Sequence, residues 1–162
     1  MLNPLARLAV LTTTLILPLA GQAPVEWSQH SMTRPKPPIV HPGPAGAPVP
    51  APADAIVLFD GSSLGAWQTG KDSSGGAAPW RIVGQALEVV PGKGTIRTRQ
   101  PFGDVQLHVE WRTPKEVKGT GQGRGNSVVF FMGRYELQIL DSGEDTTYAD
   151  GQAASIYGQL PP

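Results

Sequence analysis

Between Arg124 and Asp141 the chain gathers a guanidinium, two amides, a hydroxyl and two carboxylates: Arg124, Asn126, Ser127, Glu136, Gln138 and Asp141. Groups of this kind donate and accept hydrogen bonds and can move a proton, which suits a small polar ligand such as a sugar. Glu136 and Gln138 are two apart, so on a strand they share a face about 7 Å from one another and can reach one sugar ring together. Asp141 is five residues beyond Glu136 and needs a bulge or a strand end to join it.

The elements that must hold these groups are legible around them. Glycines at 119, 121, 123 and 125 open onto two short apolar runs, Val128–Met132 and Tyr135–Leu140, joined by the hinge Gly133-Arg134. The spacing predicts a β-hairpin fed by a loop. Phe130, Phe131, Met132 and Trp111 are expected in the core. Val105–Arg112 alternates most cleanly, with Val105, Leu107, Val109 and Trp111 on one side and Gln106, His108, Glu110 and Arg112 on the other. Further strand-like runs are Ile56–Phe59, Trp80–Val83, Ala86–Val90, Thr95–Thr98 and Ser155–Tyr157. Turn formers such as Asp60-Gly61, Val83-Gly84 and Pro91-Gly92 separate them. No window shows helical periodicity, so the expectation is an antiparallel β-sandwich.

Thirteen basic and thirteen acidic residues cancel, which gives no electrostatic case for nucleic acid or an anionic membrane surface. There is no cysteine, hence no thiolate nucleophile, disulfide or Cys-based zinc site. Arg7 followed by the apolar run Leu8–Ala20, with Gly21 and Ala23 as small residues, reads as a signal peptide over 1–23, with export to the periplasm or beyond and no lasting membrane anchor. Residues 24–54 carry eight prolines between Pro35 and Pro52 and read as a disordered spacer, so His30 and His41 receive little weight. The folded domain is expected over 55–162.

Other motifs fail on context. Gly61-Ser62-Ser63-Leu64-Gly65 matches a nucleophile elbow but lacks the following helix. The Gly119–Gly125 run lacks the helix that a dinucleotide fingerprint requires. Asp141, Glu144, Asp145 and Asp150 could offer oxygen ligands to a divalent cation, although their spacing is not that of an EF-hand and a solvated acidic loop is the simpler reading.

Several segments, in order, resemble one bacterial family. They are Leu58-Phe59-Asp60-Gly61 with Leu64 and Trp67; Trp80 ahead of Gly84-Gln85-Ala86-Leu87; Phe102-Gly103-Asp104-Val105-Gln106-Leu107; Gly125-Asn126-Ser127; Tyr135–Asp141; and Ile156-Tyr157-Gly158. Together they resemble the 3-keto-disaccharide hydrolase domain, across Ile56–Pro162. The resemblance implies a concanavalin-like jelly roll and a hydrolase acting on 3-keto disaccharides. Family domains continue beyond the position of Pro162, so an incomplete sandwich is expected, and Val128 stands where the family usually has glycine.

Such chemistry would remove the C2 proton, eliminate the glycosidic oxygen and add water. It needs a base, donors for an enolate oxygen and groups for the ring hydroxyls. The resemblance implies Glu136 or Asp141 as base, Arg124 and Asn126 at the oxyanion, and Gln138 and Tyr157 on the sugar. His108 is an alternative base, and a divalent cation has no assigned ligands. The same architecture also serves as a non-catalytic carbohydrate-binding module, which is the rival expectation.

Overall fold

A computed structural model describes residues 26–41, 43, 44, 46 and 49–162. The expected signal peptide therefore lies outside the described residues. Those described contain strands and two 3-10 turns but no α-helix, and none of their helical turns is long and apolar enough to cross a membrane. They form two compact units. One is Ile39–Arg112; the other joins Thr113–Pro162 to the described residues up to Pro38.

In the first unit, strand β1 (Trp67–Thr69) pairs antiparallel with β4 (Ile96–Thr98), and β2 (Arg81–Val83) with β3 (Ala86–Glu88). The β2–β3 hairpin turns at Gly84, whose φ of 61° is left-handed and open to glycine without steric cost. Trp67 and Trp80 bury their rings partly and donate their indole N–H groups to the carbonyls of Leu58 (2.7 Å) and Gly94 (2.9 Å). At Asp60-Gly61 the Asp60 carboxylate accepts from the Ser62 hydroxyl and backbone N–H, which lowers its pKa.

Two expected strands of this unit do not form. Ile56–Phe59 and Val105–Arg112 join no sheet, and Val105, Leu107, Val109 and Trp111 are all exposed. Alternation assigns side chains to faces but supplies no ladder partner. Without the neighbouring backbone the pattern has nothing to bind.

In the second unit, β5 (Asn126–Phe131) pairs with β6 (Tyr135–Leu140) in unbroken register from Asn126 opposite Leu140 to Phe131 opposite Tyr135. The turn is centred on Met132 (φ 54°) and Gly133 (φ 64°), closed by the Arg134 N–H to the Phe131 carbonyl, one residue earlier than the expected hinge. Met132 thereby sits at the hairpin tip, 81% exposed, and not in the core; Phe130 and Trp111 are exposed as well. The far edge of β6 is covered by Ala154–Tyr157. The N–H groups of Ala154 and Tyr157 reach the carbonyls of Gln138 (2.8 Å) and Glu136 (2.9 Å), and the Gln138 N–H reaches Ser155 (3.0 Å). The expected strand Ser155–Tyr157 is thus an edge segment on β6. Leu140, Gln138, Thr147, Ala149, Asp150 and Ser155 are the buried centre of this unit.

The spacer expectation also needs correction. Gln29 seats over Gly158, where a Cβ would collide with it, His30 donates its N–H to Asp150, and Arg34 donates to the Gln159 carbonyl. The proline count described the stretch from Pro35 onward but not the anchoring residues before it.

Candidate functional site

The unbroken hairpin register sorts the expected site residues onto two faces. Asn126, Glu136, Gln138 and Leu140 share one face with Val128 and Phe130. The register continues through the Asp141 N–H to the Gly125 carbonyl (2.8 Å), with no bulge, so Asp141 lies on the other face with Ile139 and Leu137. Glu136 and Asp141 are therefore not brought together.

On the Glu136 face an amide network is centred on a residue absent from the sequence-based set, Gln122. Its Nε2 donates to the Thr147 hydroxyl (2.8 Å) and the Gly151 carbonyl (2.9 Å). A carbonyl only accepts, so the Gly151 contact fixes which end of the amide is nitrogen. Its Oε1 accepts from Gln138 Nε2 (2.7 Å) and from Asn126 Nδ2 (3.3 Å); Asn126 also donates to the Gln122 backbone carbonyl at 3.1 Å. Gln138, 2% exposed, keeps a buried Oε1 with no hydrogen-bond partner. Gln122 sits in a 3-10 turn, Gly121–Gly123, inside the glycine run. Gly119, at φ 79°, lets that loop fold back so closely on the Gly123 carbonyl that no side chain fits.

Tyr157 lies beside Glu136 and brings Tyr148 with it. Tyr157 is held by its N–H to the Glu136 carbonyl, and its hydroxyl shares a hydrogen bond with that of Tyr148 at 2.5 Å. Burial pushes the Tyr148 phenol pKa up, and the Tyr157 hydroxyl and the carboxylates of Asp150 and Glu136 add to the shift. Tyr148 is consequently a protonated donor at any ordinary pH. Tyr157 thus joins the Glu136 face, whereas Tyr148 had no sequence signal beyond its type.

Arg124 and Asp141 form a separate centre. The guanidinium meets Asp141 at 3.2 Å and Asp145 at 4.0 Å and donates to the Gly143 carbonyl at 2.7 Å. The side chains of Arg124 and Asp141 are only 10% and 16% exposed. They line a cleft of about 280 Å³ with Pro114, Val117, Lys118 and Gly125. Here the acidic loop is solvated only in part: Glu144 is exposed, but Asp141 and Asp145 face a cation and Asp150 is fully buried elsewhere. Among the described residues no three His, Asp or Glu side chains gather as a metal site. His108 belongs to the first unit, in a segment without strand structure, with Glu110 as its partner at 3.3 Å and its side chain 86% exposed.

Against known proteins, residues 54–162 match the family described as the 3-keto-alpha-glucoside-1,2-lyase-like domain. No protein of curated function matches. A crystal structure from Parabacteroides distasonis ATCC 8503, of a protein provisionally named a glycosyl hydrolase, is similar at 42% identity with a TM-score of 0.67. The alignment covers 77% of this chain and 56% of that one, so the chain spans little more than half the length of its solved relative. The all-β jelly-roll class expected from the sequence agrees with that relative and with the described residues, which hold strands and no α-helix. On these grounds the chain belongs to the 3-keto-alpha-glucoside-1,2-lyase-like domain family.

Proposed function

We propose that the domain cleaves glycosidic bonds of 3-keto sugars by elimination and hydration, with Glu136 as the base, and that it acts after export to the periplasm or the medium. The observation that carries this reading is the placement of Glu136. It is a half-buried carboxylate on the amide-rich face, with Tyr157 paired to its backbone and hydrogen-bonded in turn to the Tyr148 phenol.

A ketone at C3 acidifies the C2 proton. Glu136 takes that proton, and the electron pair passes to the C3 oxygen as an enolate. The enolate re-forms the ketone as the C1–oxygen bond breaks and a C1=C2 bond forms, and the departing oxygen picks up a proton. Water then adds at C1 and a proton returns to C2, giving free 3-keto sugar. The Tyr148 phenol, protonated and paired with the Tyr157 hydroxyl, suits the departing oxygen as a donor. Asn126, whose amide is exposed, offers hydrogen bonds to ring hydroxyls, and the buried Gln138 holds the Gln122 amide that Asn126 also meets. Arg124 and Asp141 neutralise one another on the opposite face, so their role here is to pin the Asp141–Asp145 loop.

The test compares 3-keto-trehalose with trehalose. Glucose should appear from the keto sugar alone, and Glu136→Gln should slow release by about a hundredfold or more, in line with loss of a general base. Equal release from both sugars, or full rate in Glu136→Gln, rejects the mechanism. Sugar binding without turnover by the wild type assigns the face to a non-catalytic binding module.

A further inference from the structure

We propose that the open cleft lined by Arg124 and Asp141 is a second carbohydrate site, separate from the Glu136 face, which takes one neutral, unoxidised pyranose ring. It stands independently of the reaction assigned to Glu136.

Strand parity keeps the two sites apart. The Asp141 N–H extends the β5–β6 ladder to the Gly125 carbonyl, so the Asp141 side chain lies on the face opposite Glu136. The cleft holds about 280 Å³. Clefts that take drug-sized molecules run from about 300 to 1,000 Å³, so this one suits a single sugar ring better than a disaccharide. Its walls are set by the backbone. A Cβ at Gly125 would come within 2.9 Å of Pro114 Cδ and 3.7 Å of Asp141 Cβ, so glycine there lets the apolar and the charged wall stand close together. Gly123 lines the same space and puts no side chain into it.

The lining supplies both halves of sugar recognition. Pro114 and Val117 offer apolar surface to ring C–H groups, and Val117 is 55% exposed. The Asp141 carboxylate accepts from hydroxyls and the Arg124 guanidinium donates to them. Within this pair the atom sealed without a partner is Arg124 Nε, and neither oxygen of Asp141 is sealed in that way. Arg124 at 3.2 Å therefore holds the carboxylate in place while lone pairs stay available to a ligand. On the rim Lys118 and Glu116 pair at 3.2 Å with most of each side chain in water. Charge then selects the ligand class. An anion would meet Glu116 and Asp141, and Asp145 at 4.0 Å from Arg124 removes any surplus of positive charge. A cation would meet Lys118 and Arg124. A neutral polyol faces no like charge. Its source is either a free hexose or the end of a glycan chain.

The experiment titrates the 15N-labelled full chain with glucose and follows the backbone amides. Those of Val117 and Lys118 should move with a Kd of about 1–10 mM, the range expected of so small a ligand. Maltotriose binding with the same Kd assigns the site to a free ring, and a clearly lower Kd assigns it to a glycan end. Val117→Glu, at an exposed position, removes apolar wall and should weaken glucose about tenfold or more. Gly123→Phe should obstruct the cleft to the same effect, and its Cβ meets nothing within 4 Å, so the fold tolerates it. Static Val117 and Lys118 amides at about 100 mM glucose, ten times the upper Kd, overturn the inference. So does wild-type affinity in both variants, or a larger response to acetate or ammonium than to glucose. A chain that fails to turn over 3-keto-trehalose but binds glucose here loses the hydrolytic mechanism and keeps this site.

Discussion

Gln122 holds the Glu136 face together, and replacing it with alanine isolates that role. Three of its partners are buried: the Gln138 amide, the Thr147 hydroxyl and the Gly151 carbonyl. Each hydrogen bond contributes about 1 kcal/mol net, and a buried group left unsatisfied costs about 1–3 kcal/mol. The Thr147 hydroxyl only accepts in this contact and keeps its own O–H free to donate, which softens one of the three losses. Gln122→Ala should therefore destabilise the chain by about 2–4 kcal/mol. With a urea m-value of about 2 kcal/mol/M, the midpoint should fall by about 1–2 M, read by far-ultraviolet circular dichroism. Asn126→Ala is the control, because its amide is exposed and its loss should cost less than about 0.5 kcal/mol. In a double-mutant cycle, Gln122→Ala and Gln138→Ala should couple by about 1 kcal/mol or more. A Gln122→Ala shift no larger than that of Asn126→Ala would mean that water replaces the amide freely, and the network would carry no structural weight.

Arg124→Ala should cost about 3 kcal/mol in the same unfolding assay, because it leaves Asp141 and Asp145 without their cation, and Arg124→Lys should recover part of the loss. Met132→Asn should gain about 0.5–1 kcal/mol, since it creates an Asn-Gly turn at two left-handed positions and the methionine is 81% exposed with no packing to lose. Alkaline titration followed at 295 nm should show the Tyr148 phenol resisting ionisation while the chain is folded and yielding once it unfolds. The sign follows from linkage. A raised folded pKa means that the unfolded state releases its proton first, so this contribution is intact below about pH 10 and stability falls as pH rises above it. In Tyr148→Phe that part of the alkaline loss should vanish.

The β5–β6 hairpin, its two faces and the turns at Asp60-Gly61 and Val83-Gly84 were readable in the sequence because each depends on neighbours. Strand alternation is fixed by backbone pleat, and a left-handed φ favours glycine wherever it occurs. The same parity correctly separated Asp141 from Glu136 in the absence of a bulge. Met132 misled because an apolar residue at the end of a strand-like run was counted as core when the chain reverses there.

What only the tertiary structure decided are the pairings across long sequence separations: Gln122 with Gln138, Thr147 and Gly151, Arg124 with Asp141, and His30 with Asp150 and the tyrosines. Side-chain type and local spacing state what a residue can bond to, but not which distant group is delivered to it. Val105–Arg112 shows the same limit from the other side, with clean alternation and no partner strand among the described residues. A strand is a relation between two backbones, and one of them alone does not make it.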